Sequence, residues 1–223
     1  MKDEDEVREY LQNLELEYQF SCYRENEGLG CCLLGEFMVG VRQDYKRAAA
    51  AFKKSCDKHD FAKGCFSFGG FLFRGRGVKQ DEAKALEYQK KGCELGWKEA
   101  CAVAGYQYRE PGPLHDFVKA VEYIERSCNM GLMEGCASAS SFHHKGGEGV
   151  PKDHLKALDF GIRACDLEHM QSCANVSYMF RKGDHVEKNP EKALEFKNKA
   201  LDLQAQAKKN RGIEMEQGIG APE

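Results

Sequence analysis

The chain of 223 residues holds 5 prolines and 1 tryptophan, and it contains no C-x-x-C, no H-E-x-x-H and no apolar run that approaches 20 residues. Each absence excludes something. Without C-x-x-C the usual structural zinc spacings and the thioredoxin-type motif are missing. Without a long apolar run there is no membrane-spanning helix to expect. Excess basic charge is lacking too. Lys and Arg number 33 against 36 Asp and Glu, for a net charge of −3 and a pI of 6.2. That balance gives no electrostatic reason to bind nucleic acid or an anionic membrane surface. The opening "MKDEDEVREY" is acidic, so it is expected to be neither a secretory signal nor an arginine-rich presequence.

What is present in excess is cysteine, 11 in all. A reducing compartment seldom keeps so many unless they bind metal or do redox chemistry, so the composition points to oxidising surroundings. The cysteines recur in phase. "KGCELGWKEACAVAG", "RSCNMGLMEGCASAS" and "RACDLEHMQSCANVS" are nearly one phrase. The second cysteines are Cys31, Cys65, Cys101, Cys136 and Cys173, at steps of 34, 36, 35 and 37. Their upstream partners are Cys22, Cys56, Cys93, Cys128 and Cys165, at separations of 9, 9, 8, 8 and 8, and Cys32 is left over.

Other residues keep the same phase. Ala48, Ala85, Ala120 and Ala157 lie eight residues before a first cysteine, and Asp44, Asp81, Asp116 and Asp153 four before those alanines. Asn189, Ala193 and Leu201 continue the series without a cysteine. Asp and Asn are strong N-caps, so a helix is predicted to start at each and to run to the first cysteine. Pro190 after Asn189 suits a first helical position. A second helix is predicted from near each second cysteine. Leu34-Gly35, Phe68-Gly69, Ala104-Gly105, Ala139-Ser140 and Val176-Ser177 follow three and four residues on, where a small side chain admits a neighbouring helix. Phe37, Phe71, Tyr106, Tyr108, Phe142, Tyr178 and Phe180 then form an aromatic stripe, read as core rather than as a cofactor box. Glycine-rich turns such as "RGRGVKQD" and "KGGEGVPKD" separate the helices.

Two helices in about 35 residues cannot bury an apolar face alone, so the units must stack. The expected fold is all-α, an α/α solenoid of disulfide-stapled helix pairs related to tetratricopeptide repeats. One array is expected over 5–209, with an opening helix 5–22, five helix pairs from about 31, 65, 101, 136 and 173, and a mobile tail 210–223. The cysteine pairs join the end of one helix to the start of the next, and the reading is five structural disulfides: Cys22–Cys31, Cys56–Cys65, Cys93–Cys101, Cys128–Cys136 and Cys165–Cys173. Metal binding and catalytic thiols stay open as competing readings. Cys32 is expected to be a free thiol, either a small buried hydrophobe or an exchange thiol beside the first bridge.

The remaining chemistry is thin. Seven histidines are scattered, and His143-His144 is read as an exposed turn, with a haem or copper ligand as the alternative. Ser55-Cys56-Asp57-Lys58 fits S-x-x-K, but the companion S-D-N and K-T-G motifs are absent, so a serine acylase is not supported. No catalytic residue, metal site or cofactor is expected; haem is left open because no motif places an axial ligand.

The register "KALEYQKKGCELG–KEACAVAG" and the stretch "RACDLEHMQSCANVSYMFRKGDHVEKN" resemble the Sel1-like repeat family. Two cysteine-stapled branches of that family are similar: secreted bacterial cysteine-rich proteins linked to β-lactam-type compounds, and assembly factors of cytochrome c oxidase in the mitochondrial intermembrane space. The second is the closer likeness in length and in pair spacing. It implies a soluble, non-catalytic intermembrane-space factor that binds protein partners of cytochrome c oxidase assembly, with copper chaperones among the candidates. It also implies import by the disulfide relay of that compartment, and thiol–disulfide exchange is a further option. The rival is an enzyme, either a thiol–disulfide reductase or a secreted β-lactam-binding or hydrolysing repeat protein.

Overall fold

Five side chains set the first helix of each pair. Asp44, Asp81, Asp116, Asp153 and Asn189 each accept a hydrogen bond from the backbone N–H three residues on, at 2.9–3.0 Å. The donors belong to Arg47, Lys84, Lys119, Lys156 and Lys192. In the computed structural model, which describes residues 4–183 and 185–216, eleven α-helices form among the described residues. They are α1 (Glu4–Phe20), α2 (Gly28–Phe37), α3 (Tyr45–His59), α4 (Ala62–Arg74), α5 (Glu82–Glu94), α6 (Lys98–Arg109), α7 (Phe117–Asn129), α8 (Met133–Lys145), α9 (His154–Asp166), α10 (Met170–Lys182) and α11 (Pro190–Glu216). The fold is the all-α helix-pair repeat expected from the sequence.

Some boundaries differ from expectation, for local reasons. The opening helix ends at Phe20 and widens into a π-helical turn over Ser21–Glu25, so Cys22 sits in that turn. The second helices start three residues before their cysteines. Glu27, Phe61, Trp97, Leu132 and His169 are the caps, and their carbonyls receive the N–H of the second cysteine at 3.0–3.3 Å. Four of those five caps bond through no side chain, so no sequence signal marked them. The last helix continues to Glu216, past the expected end at 209. The mobile tail expected over 210–223 therefore begins inside α11, and its last residues, 217–223, lie outside the described residues.

The chain divides into two compact units between His115 and Asp116, inside the stretch expected to be a single array. The division follows "EPGPLH", residues 110–115, whose two prolines remove backbone donors from the connection. Within the first unit α2 packs on α3, α3 on α4, α4 on α5 and α5 on α6. In the second α7 packs on α8, α8 on α9, α9 on α10 and α10 on α11.

The packing explains the repeated phase of small residues along the chain. Ala48, Ala85, Ala120 and Ala157 are fully buried. Ser140 and Ser177 donate their hydroxyls to the carbonyls of Ala157 and Ala193, both at 2.7 Å, which locks a second helix to the next first helix. Gly69 holds the same place in an earlier repeat, and a Cβ there would lie 3.1 Å from the Ala85 carbonyl oxygen. Replacing one cap tests the register directly. Asp153→Ala is expected to cost about 1 kcal/mol, whereas Asp159→Ala, on the exposed side of the same helix, should change stability little. Urea unfolding of both variants measures the difference.

A second device acts between repeats. A basic residue two positions before a first cysteine reaches back to the end of the preceding first helix. Lys54 donates to the Cys22 carbonyl at 2.7 Å, Lys91 to that of Cys56 at 3.0 Å and Arg163 to that of Cys128 at 3.3 Å. Lys91 also pairs with Asp60 at 2.8 Å, and Lys199 with Asp166 at 2.8 Å. Unpaired carbonyls and the negative end of the helix dipole make a helix C-terminus a natural place for a cation. Lys91→Met should lower stability by about 1 kcal/mol, with the loss shrinking at high salt.

Candidate functional site: the cysteine ladder and two grooves

Each first cysteine ends one helix and each second cysteine lies in the first turn of the next. Five disulfides join Cys22 to Cys31, Cys56 to Cys65, Cys93 to Cys101, Cys128 to Cys136 and Cys165 to Cys173. Their Cα atoms approach to 4.3–4.7 Å. The residues just before the two cysteines permit this approach. They face each other as Ser21 and Gly30, Ser55 and Gly64, Gly92 and Ala100, and Ser127 and Gly135. A Cβ on Gly64 would stand 2.4 Å from the Ser55 hydroxyl, and one on Gly135 2.0 Å from that of Ser127. Where Ala100 supplies a Cβ, the opposite residue is Gly92, and a Cβ added there would stand 3.1 Å from that of Ala100.

Turn geometry accounts for the two pair spacings. In the nine-residue pairs the left-handed residue comes four after the first cysteine, as Asn26 (φ 61°) and Asp60 (φ 48°). In the eight-residue pairs it comes three after, as Gly96 (φ 96°), Gly131 (φ 79°) and Glu168 (φ 68°). One residue more in the turn shifts the second cysteine by one.

All ten bridged cysteines are buried, at 0–1% exposure. Cys32 is unbridged and 1% exposed. Burial pushes its thiol up to about 12, with Glu36 adding to the rise and Lys63 opposing it. At pH 8 the thiolate fraction is then on the order of 10⁻⁴, which is poor chemistry for an exchange nucleophile. The folded protein should show almost no thiol to Ellman's reagent at pH 8, and one thiol after denaturation without reductant. Several reactive thiols in the folded state would contradict this arrangement.

The other candidates separate cleanly. Ser55 is buried and donates to the Gly28 carbonyl at 2.7 Å, so S-x-x-K is no nucleophile motif here. The expected exposed turn at His143-His144 needs correction, because only His144 is exposed. His143 is 3% exposed, its Nε2 lies 2.5 Å from Glu125 Oε1, and its ring stacks on Phe160 at 5.6 Å. It faces inward because α8 runs on to Lys145, which places position 143 on the packed face. Among the described residues, no group of three or more His, Cys, Asp or Glu is arranged to hold a metal ion. No described helix is long and apolar enough to cross a membrane.

Two grooves lie on the surface away from the bridges. In the first unit a groove of about 490 Å³ is lined by Val39, Phe66, Phe71 and Phe73, with Glu36 and Arg74 of opposite charge beside them. Gly40 and Gly70 leave open space in it. Gln89, 1% exposed, donates its Nε2 to the Phe66 carbonyl at 3.1 Å and leaves Oε1 without a partner. In the second unit a groove of about 540 Å³ is hydroxyl-rich, with Ser140, Ser141, Asn175 and Tyr178 beside His144 and Lys145. Neither presents a nucleophile held by a base. Apolar walls with a few polar anchors suit the recognition of a peptide or protein surface.

Stacked helix pairs with buried staples and open grooves define a repeat scaffold of the tetratricopeptide-like class. The Sel1 repeat model matches residues 28–60, 63–97, 98–132, 135–169 and 171–204. The chain belongs to the Sel1 repeat family and, within it, to the group that includes the cytochrome c oxidase assembly factor 7 proteins. It is 35% identical over 210 residues to cytochrome c oxidase assembly factor 7 of Xenopus tropicalis, covering 91% of each chain. It is 34% identical over 217 residues to that of Mus musculus, covering 94% of each. The Drosophila melanogaster homolog is 38% identical over 104 residues, 45% of this chain and 39% of that one. Among solved structures, the Sel1 repeat protein of Oxalobacter formigenes superposes with a TM-score of 0.68 at 23% identity, covering 88% of this chain and 83% of the other. A protective antigen of uropathogenic Escherichia coli gives 0.70 at 22% identity, covering 86% of this chain and 41% of the other. These two likenesses concern the fold.

Proposed function

We propose that the protein is an assembly factor for cytochrome c oxidase in the mitochondrial intermembrane space, working as a protein-binding scaffold. The observation that carries the reading is the set of five buried bridges, one at each repeat junction. It is joined to full-length similarity to proteins named as factors of that assembly. Bridges buried this deeply form as the chain folds, so the protein needs an oxidising compartment in which to do so. Import through the disulfide relay of the intermembrane space fits that need. The partners are proteins of the assembly route, copper chaperones among them, and the reading requires no cofactor. Thiol–disulfide exchange, if the factor performs it, would have to open a bridge, because Cys32 is buried and protonated.

The test replaces Gly70, which lies in the first groove with open space around it, by leucine. A helical Gly→Leu change should not lower stability, since glycine in a helix interior costs about 0.5–1 kcal/mol. In cells depleted of the protein, the wild type should restore cytochrome c oxidase activity, and Gly70→Leu should restore less of it at equal protein level. Localisation is read separately, by protease access to mitochondria with intact and with ruptured outer membranes. Protein found in the cytosol with reduced thiols would overturn the reading.

A further inference from the structure

The repeats are alike enough that a departure stands out. The residue after the cap of α3 and of α7 faces the sixth residue after the second cysteine on the partner helix; in the α9–α10 repeat these positions hold His154 and Met179. In two repeats both are aromatic: Tyr45 and Phe71, with ring centroids 6.5 Å apart, and Phe117 and Phe142, 5.5 Å apart. In the repeat between them the same positions are Glu82 and Gln107. Two polar residues stand where an aromatic pair would close the gap, and a pocket of about 370 Å³ opens there.

The connection after α6 departs as well. After α4, α8 and α10, the cap residue's N–H returns to the preceding helix, with Asp81 donating to Leu72, Asp153 to His143 and Asn189 to Phe180 at 2.8–3.0 Å. After α6 the chain makes a turn of its own, His115 N–H donating to the Gly112 carbonyl at 3.1 Å. Pro111, Pro113 and Leu114 of that connection form one wall of the pocket, and Phe73 and Tyr106 form another. The polar lining is rich in acceptors. Gln107 Oε1 is buried without a hydrogen-bond partner. Glu82 has a weak contact from Gln80 Nε2 at 3.5 Å, and Glu110 pairs with Arg109 at 2.7 Å. The two carboxylates and one guanidinium leave a net negative charge.

We propose that this pocket receives an arginine side chain from a partner protein. A guanidinium offers donors to Gln107 Oε1 and Glu82, its plane stacks on Phe73 (Arg109 of the chain itself lies 5.3 Å over Tyr106), and its stem lies along apolar walls. A lysine ammonium is more strongly hydrated and has no plane to stack. The pocket adjoins the groove invoked for the assembly role and shares Phe73 and Val103 with it, but its polar residues Glu82 and Gln107 lie outside that groove, and its test does not depend on that role.

The probes are acetyl-Gly-Leu-Arg-Leu-Gly-amide and the same peptide with citrulline, the neutral isostere of arginine. Binding to the full chain is measured by isothermal titration and by amide NMR shifts. The arginine peptide should bind at least about tenfold tighter, the ratio one charge-assisted hydrogen bond supplies, with shifts centred on Glu82 and residues 103–114. Gln107→Phe should fill the pocket as the neighbouring repeats do, abolishing binding without lowering the melting temperature. Glu82→Gln, at an exposed position, should weaken binding about threefold or more and flatten its salt dependence. Equal affinity for the citrulline peptide, shifts elsewhere, no binding at millimolar peptide, or unaltered binding by both variants would each overturn the proposal.

Discussion

Replacing Cys128 and Cys136 together by serine is expected to destabilise the second unit by about 3 kcal/mol. The loop they close spans a separation of 8 residues. The chain-entropy model assigns such a loop about 2.5 kcal/mol, and two hydroxyls placed in a fully buried site add to the cost. A domain of ordinary stability has about 5–15 kcal/mol to lose, so one junction is a large share. Cys32→Ala, at an equally buried cysteine that closes no loop, should cost only about 1 kcal/mol, from the lost sulfur contacts. Urea unfolding of both variants, with and without reductant, separates the terms. The reduced wild type should fall below the unreduced double variant, because reduction opens all five bridges and the double variant lacks only one. A double variant within 0.5 kcal/mol (an approximate bound on surface effects) would show that the helix pairs hold the junction without the bond.

How much of this was visible beforehand depended on whether the signal was local. The five caps were legible because an N-cap acts within three residues of its own position, and the side-chain bonds of Asp44, Asp81, Asp116, Asp153 and Asn189 lie where the pattern placed them. The starts of the second helices were not, because Phe61, Trp97 and Leu132 cap with carbonyls alone and carry no cap chemistry in their side chains. His143 was misjudged for a related reason. Its partners, Glu125 and Phe160, lie 18 and 17 residues away on other helices, and only the packing brings them to it. A basic residue stands two before the first cysteine from the second pair onward, as Lys54, Lys91, Arg126 and Arg163, and Lys199 holds the same place before Leu201. Its use was not legible, because the carbonyls it reaches belong to the previous repeat. The pocket at Gln107 was hidden in the same way, since Glu82 and Gln107 look unremarkable until their counterparts are seen to be aromatic pairs.

The steric match beside each bridge leads to the second large effect. Gly135→Ala puts a Cβ 2.0 Å from the Ser127 hydroxyl and 2.9 Å from the Cys128 backbone nitrogen. Ser127 is fully buried, and its hydroxyl donates to the Ile124 carbonyl at 2.7 Å, so it has no free rotamer into which to retreat. Alanine is normally the better helix former by about 1 kcal/mol. Here overpacking at about 1–3 kcal/mol should exceed that preference and make the variant less stable. The neighbouring repeat contains the remedy, because Gly92, without a Cβ, faces Ala100 there. Ser127→Gly combined with Gly135→Ala reproduces that arrangement, glycine before the first cysteine and alanine before the second. The double variant should therefore recover most of the stability that Gly135→Ala loses, although Ser127→Gly alone is destabilising through added backbone freedom. The coupling in a double-mutant cycle should be favourable by at least about 1 kcal/mol, a size found for residues in direct contact. Additive effects would mean that the two helices can part to admit a methyl group, and that the bridge rather than the small pair holds the cysteine backbones together.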